Sequence, residues 1–259
     1  MTQFNEQTQA NCYGQIKSQQ PKDKYLKKMT NKYSSTYPAK ERASFENFIS
    51  VDTNTTAKST AIEFALALTP YNVLGISSTM GNGATHLALA ILNKIEANER
   101  GKEVFYSSFE RLISNNSKDN ELTIFNKEFL NSKSLILIDS FYESSNKEIS
   151  NKIVDVLKNV NTKIIFTYNG GIKAPIVQKE INISRPSVIE KKIIIKQLLK
   201  SEKMDLCSES INYIGGLSNL SIREIEGLII SIFAKRALGD TTPDIQIVNN
   251  LLNRFINNN

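Results

Sequence analysis

From Phe45 onward, short apolar runs alternate with stretches whose apolar residues recur at helical spacing, the pattern of a parallel sheet built with crossover helices. The runs at 72–77, 103–107, 134–139, 163–168 and 180–183 predict five strands of one open α/β sheet. Between them, 85–98 carries Leu87, Ile91, Leu92 and Ile95 at helical spacing, and 147–159 carries Ile149, Ile153, Val156 and Leu157 likewise. After Arg185 and Pro186 no further strand run occurs, and the pattern predicts helices over 187–203, 208–215, 221–238 and 243–256. Ser208 stands at a helix start and Pro243 suits a first helical turn. The chain therefore divides into a leader (1–43), an α/β domain (44–185) and a small helical domain (186–259).

Charge changes the picture of the leader. The net charge is +6, yet 1–44 holds 8 Lys and Arg against 3 Asp and Glu. Rich in Gln, Asn, Lys, Ser and Tyr with little apolar periodicity, this stretch reads as disordered or weakly helical around 24–32. It is either a solvated leader or a segment that touches nucleic-acid phosphates or an acidic partner. The remaining composition, 40% hydrophobic and 22% charged over 259 residues, belongs to a folded protein. No stretch reaches the ~18 uncharged apolar residues of a membrane helix, and the first residues lack the order of a secretory signal, so a cytoplasmic protein without membrane contact is expected. Cys12 and Cys207 have no metal-ligand spacing and read as plain thiols.

The candidate chemistry lies in the loop Ser78, Thr79, Met80, Gly81, Asn82, Gly83, Ala84, Thr85, placed between the first strand and its helix. A phosphate loop works because glycines let backbone amides curl around a phosphate at a helix N-terminus, a Lys reaches the terminal phosphates and a Ser or Thr hydroxyl holds Mg²⁺. Gly83 and Thr85 fit that scheme, whereas the Lys position is Ala84 and the leading Gly position is Ser78. The apolar run 135–138 ends in Asp139, which places a carboxylate at the carboxyl edge of the sheet beside such a metal. The next position, where a second acid would orient attacking water, is Ser140.

In the helical part, Leu220, Ser221, Ile222, Arg223, Glu224, Ile225, Glu226 and Gly227 form a stretch similar to the arginine-bearing helix of the bacterial replication initiator DnaA family. Phe45, Glu46, Asn47 and Phe48 at the domain entrance, the run Gly83, Ala84, Thr85, His86, Leu87, and the strand 163–169 ending in polar Asn169 extend the resemblance over about 44–257. It implies an AAA+ fold, a P-loop parallel sheet with helices on both faces plus a small all-α lid, with ATP or ADP and Mg between them. Carried over residue by residue, Gly81, Asn82, Gly83, Ala84 and Thr85 would lie at the phosphates, and 45–49 near the adenine. Thr85 and Asp139 would lie at the metal, with Asn169 as first sensor and Arg223 as second. His86 matches a residue that follows the family's loop and reads as a helix-packing group.

The departures set the expected function. Ala84 removes a charge-assisted phosphate contact worth ~1.5–3 kcal/mol, so nucleotide binding should be weak or absent. Ser140 and a shortened stretch between Pro175 and Arg185, where the family carries its trans-acting arginine, leave little for hydrolysis. The family's duplex-reading module is not expected after the lid. The expectation is a shortened, Hda-like accessory protein of replication initiation with a degenerate P-loop, working by contact with a DnaA-type initiator or another replication protein. Two rivals stay open: an active ATPase such as a helicase loader, and a nucleic-acid-binding module using the basic leader. Without a lysine in the loop, Arg223 is expected to pair with Asp139 across the cleft or with Glu226 along its own helix.

Overall fold

The computed structural model describes residues 43–98, 103–118, 127–142, 147–170, 173–239 and 244–257. The five apolar runs are five parallel strands: β1 (Val73–Ser78), β2 (Glu103–Ser108), β3 (Lys133–Phe141), β4 (Lys163–Asn169) and β5 (Lys179–Ile183). They stand side by side in the order β2-β3-β4-β1-β5. Such strands must be covered on both faces, which is why 135–138 is apolar without interruption, each of these residues being fully buried. Alternation then sorts the side chains. Leu74, Ile76, Leu135, Leu137, Ile165 and Ile181 face helices α1 (Asp52–Ala65) and α2 (Ala84–Asn98). Ile136, Ile138, Ile164 and Phe166 face α3 (Phe109–Lys118), α4 (Lys127–Asn131) and α5 (Lys147–Lys158).

The α1 helix falls outside the expected elements, because its opening DTNTTAKST has no apolar stripe. Polar atoms set its start: Asn54 Oδ1 accepts the Val51 N–H at 3.0 Å, and Asn54 Nδ2 donates to the Ile49 carbonyl at 3.0 Å. Lys163 donates to the Phe64 carbonyl at its other end, 2.7 Å away, as a cation at a helix C-terminus should. Likewise α3 and α4 are additions to the pattern read from the chain. The expectation for 24–32 lies outside the described residues.

Four helices follow: α6 (Val188–Ser201), α7 (Ser208–Gly216), α8 (Ile222–Ala237) and α9 (Asp244–Asn257). They enclose a core of their own, with Ile195, Ile214, Ile225, Ile232, Ile247 and Val248 at its centre. Both α6 and α8 open with a capping box, Ser187 with Glu190 and Ser221 with Glu224. Among the described residues no helix is long and apolar enough to cross a membrane.

Candidate functional site

Strand order brings the candidate residues to one edge. Because β1 pairs with β4, the ends Ser78 and Asn169 are register partners, and because β3 lies next to β4, Asp139 ends one strand further over. The loop after β1 leaves the sheet here, at the carboxyl edge where open α/β sheets bind ligands.

The loop curls at two glycines. Gly81 and Gly83 have φ values of 78° and 106°, a backbone that L side chains rarely adopt. Asn82 is buried and braces the turn from within, its Nδ2 donating to the Thr79 carbonyl at 3.3 Å and to the Thr79 hydroxyl. Ala84 begins α2, whose first-turn amides have no intrahelical partners. Its methyl is part of the buried core cluster. Phe48 lies against Gly83, its ring reaching 3.0 Å from where a Cβ on that glycine would stand. The same ring meets His86 edge-on at 5.5 Å. Burial pushes His86 below its ordinary pKa despite a 3.2 Å contact to the Ser44 carbonyl, consistent with a packing role.

At the end of β3, the Thr85 hydroxyl donates to Asp139 Oδ1 at 2.9 Å. Two donors not expected from the sequence complete the surroundings of this buried carboxylate: the Thr167 hydroxyl on Oδ1 and the Tyr106 hydroxyl on Oδ2 at 3.2 Å. Ser140 explains the direction of the first. With φ at 58° it bulges β3 out of register with β4, and its N–H donates to Thr167 Oγ1 at 2.8 Å, leaving the Thr167 proton for Asp139. The position that lacks the second acid thus acts through its backbone.

The lid reaches the loop through backbone as well. Gly81 O accepts the Arg223 N–H at 3.1 Å. A Cβ at Gly81 would stand 2.6 Å from Ser221 Oγ and 3.3 Å from Arg223 Cβ. The guanidinium of Arg223 is exposed and, among the described residues, pairs with neither Asp139 nor Glu226. Asn169 is exposed at the end of β4. Gly81, Arg223, Thr85 and Asp139 are therefore brought into two contacting pairs.

Hydroxyl and carboxylate oxygens of Thr85 and Asp139 suit a hard divalent cation. The fit on the phosphate side is partial, since amides are offered without an ammonium.

The profile of the bacterial DnaA ATPase domain matches residues 39–174. The chain belongs to the bacterial DnaA ATPase domain family. A DnaA-family relative, the chromosomal replication initiator protein DnaA of Caldanaerobacter subterraneus subsp. tengcongensis, is 25% identical over 235 residues, covering 83% of this chain and 52% of the relative. The chain spans about half the length of the curated relatives it matches. Domain III of the DnaA of Thermotoga maritima superposes with a TM-score of 0.69 at 22% identity, over 80% of this chain and 96% of that domain. The AMPPCP-bound DnaA of Aquifex aeolicus superposes with a TM-score of 0.59 at 28% identity, over 75% of this chain and 66% of that one. The DnaA-like frame, a parallel AAA+ sheet with helices on both faces, accords with the expected fold.

Proposed function

We propose that this chain is a DnaA-like accessory protein of replication initiation that acts in the cytoplasm by contact with a DnaA-type initiator, and that its ATP site binds weakly and does not hydrolyse. The observation that carries this reading is the loop itself, which has the glycine-dependent curl but a buried methyl where a lysine would face the phosphates. Gly81, Asn82, Gly83, Ala84 and Thr85 would offer amides to the phosphates, Asn169 and Arg223 would flank them, and Thr85 and Asp139 would hold Mg²⁺. The bound ion would neutralise phosphate charge. Ser140 has only a small hydroxyl where attacking water would need a base, and its amide is committed to Thr167.

The experiment combines purified chain, a purified DnaA-type initiator and ATP. Expected are no turnover by the chain alone, dissociation constants for ATP and ADP above ~10 µM, and a complex with the initiator. Turnover that disappears in Asp139→Ala would replace this reading with an active ATPase such as a helicase loader, a rival favoured by the intact Thr85 to Asp139 contact.

A further inference from the structure

Lys191 is charged and almost completely buried, with 2% of its surface exposed. Burying an ammonium is costly unless its hydrogen bonds are replaced. Here Nζ donates to the carbonyls of Leu217 at 2.9 Å and Ser218 at 3.3 Å. Arg185, at the entrance to the lid, donates to the next carbonyl, that of Asn219, at 3.3 Å. Three consecutive carbonyls are thus held by two cations.

The helix before these carbonyls closes its last turn through the Leu217 N–H on the Ile214 carbonyl at 3.2 Å. Helix α7 ends at Gly216 with Leu217 in extended backbone, so no left-handed residue folds the chain back over its last carbonyls. The cations instead hold the three carbonyls just beyond that end, near the negative pole of the helix. Two residues beyond Asn219 stands Ser221, which lies against Gly81, followed by Arg223, whose N–H meets the Gly81 carbonyl. The path from the buried ammonium to the phosphate loop is therefore one short stretch of backbone with little freedom.

The structure assigns Lys191, assisted by Arg185, as a positioning residue that sets the start of α8 on the phosphate loop and so displays Arg223 beside it. Neither cation touches the loop; both act through the 217–219 carbonyls. The functional meaning of this placement rests on reading Arg223 as a phosphate-facing group, whereas its test reads the protein alone.

Lys191→Met keeps the length and most of the volume of the side chain and removes the donor. The Leu217 and Ser218 carbonyls then lose their donor, so some loss of overall stability is expected, and the positioning role is read from where exchange changes rather than from stability. Amide hydrogen exchange followed by NMR on the full chain without nucleotide is the measurement. The Arg223 amide should exchange faster in Lys191→Met, on the order of tenfold or more, while the Ile229 amide in the middle of α8 keeps its parent rate. Unchanged exchange at Arg223 overturns the assignment, and so does equal acceleration at Arg223 and Ile229, which would mean general loosening of the helix. Should Lys191→Met fail to fold, Arg185→Gln at the exposed end of the same turn decides: faster exchange confined to Arg223 supports the assignment, and none overturns it. ATP turnover by the parent would refute the proposed function without touching this result.

Discussion

Glu190 on the first lid helix accepts the backbone N–H of Thr53 at the start of α1, at 2.9 Å, while its other oxygen accepts the N–H of Ser187 at 2.8 Å. One carboxylate thereby satisfies orphan amides at two helix N-termini, those of α1 and α6. Burial alone would raise its pKa, but the amides of Ser187 and Thr53 outweigh burial and hold the carboxyl at about 2.

A depressed carboxyl gives a signed expectation. Its contribution is complete above the unfolded value, about 4.3, and is lost as pH falls through about 2. Glu190→Gln should melt below the parent at pH 7, and the gap should narrow from about pH 4.5 downward. Thermal melts of both proteins between pH 7 and pH 2 check it; a gap independent of pH would show that shape rather than charge matters here.

Gly81→Ala should destabilise more than Gly83→Ala. Both glycines have positive φ, which costs a side-chain-bearing residue roughly 1–2 kcal/mol. Only Gly81 also faces the lid, where the new methyl would overlap Ser221; at Gly83 the neighbour is the edge of the Phe48 ring at 3.0 Å. Urea unfolding of the two variants gives the ordering directly, and equal losses would mean that the lid gives way freely.

Ala84→Lys should tighten ADP binding by roughly ten- to hundredfold, because it returns a charge-assisted contact to a loop that still has its glycine turns. Calorimetric titration of parent and variant measures the ratio. A ratio near one would indicate that the methyl's place in the core directs the new side chain away from the phosphates.

Thr167→Val should lower unfolding stability by about 1–3 kcal/mol. The variant takes a proton donor from Asp139 and an acceptor from the Ser140 amide in one step. Denaturant titration tests the loss, and a neutral result would mean that water replaces the hydroxyl at both neighbours.

The loop, Asp139 and the arginine-bearing helix were legible in the sequence because each is a local pattern: glycines at fixed offsets, an apolar run ending in an acid, a capped helix start. The partners of Asp139 were not. Tyr106 and Thr167 belong to β2 and β4, and only the strand order puts their hydroxyls beside the end of β3. Glu190 and Lys191 look like solvated charges on an amphipathic helix; their burial follows from the packing of α1 and of the 217–219 turn around them. The α1 helix was missed because its opening is polar and its buried stripe, Ala57, Ala61 and Phe64, is mostly alanine. Arg223 was expected to act by its side chain. The observed contact uses its amide, which every residue type offers and no sequence pattern marks.

The place of β1 in the sheet governs how this protein is made. Its two neighbours are β4 and β5, so Val73–Ser78 has no strand to pair with until the ribosome has delivered the chain as far as Asn169, and lacks its second partner until Ile183. Pairing between such distant segments is slow compared with helix formation, because the intervening chain must first be closed into a loop. The phosphate loop hangs from β1 and acquires its shape late, after β2 and β3 can already have paired. Nascent chains ending before Ile183 leave an apolar central strand unpaired on at least one edge, open to wrong partners.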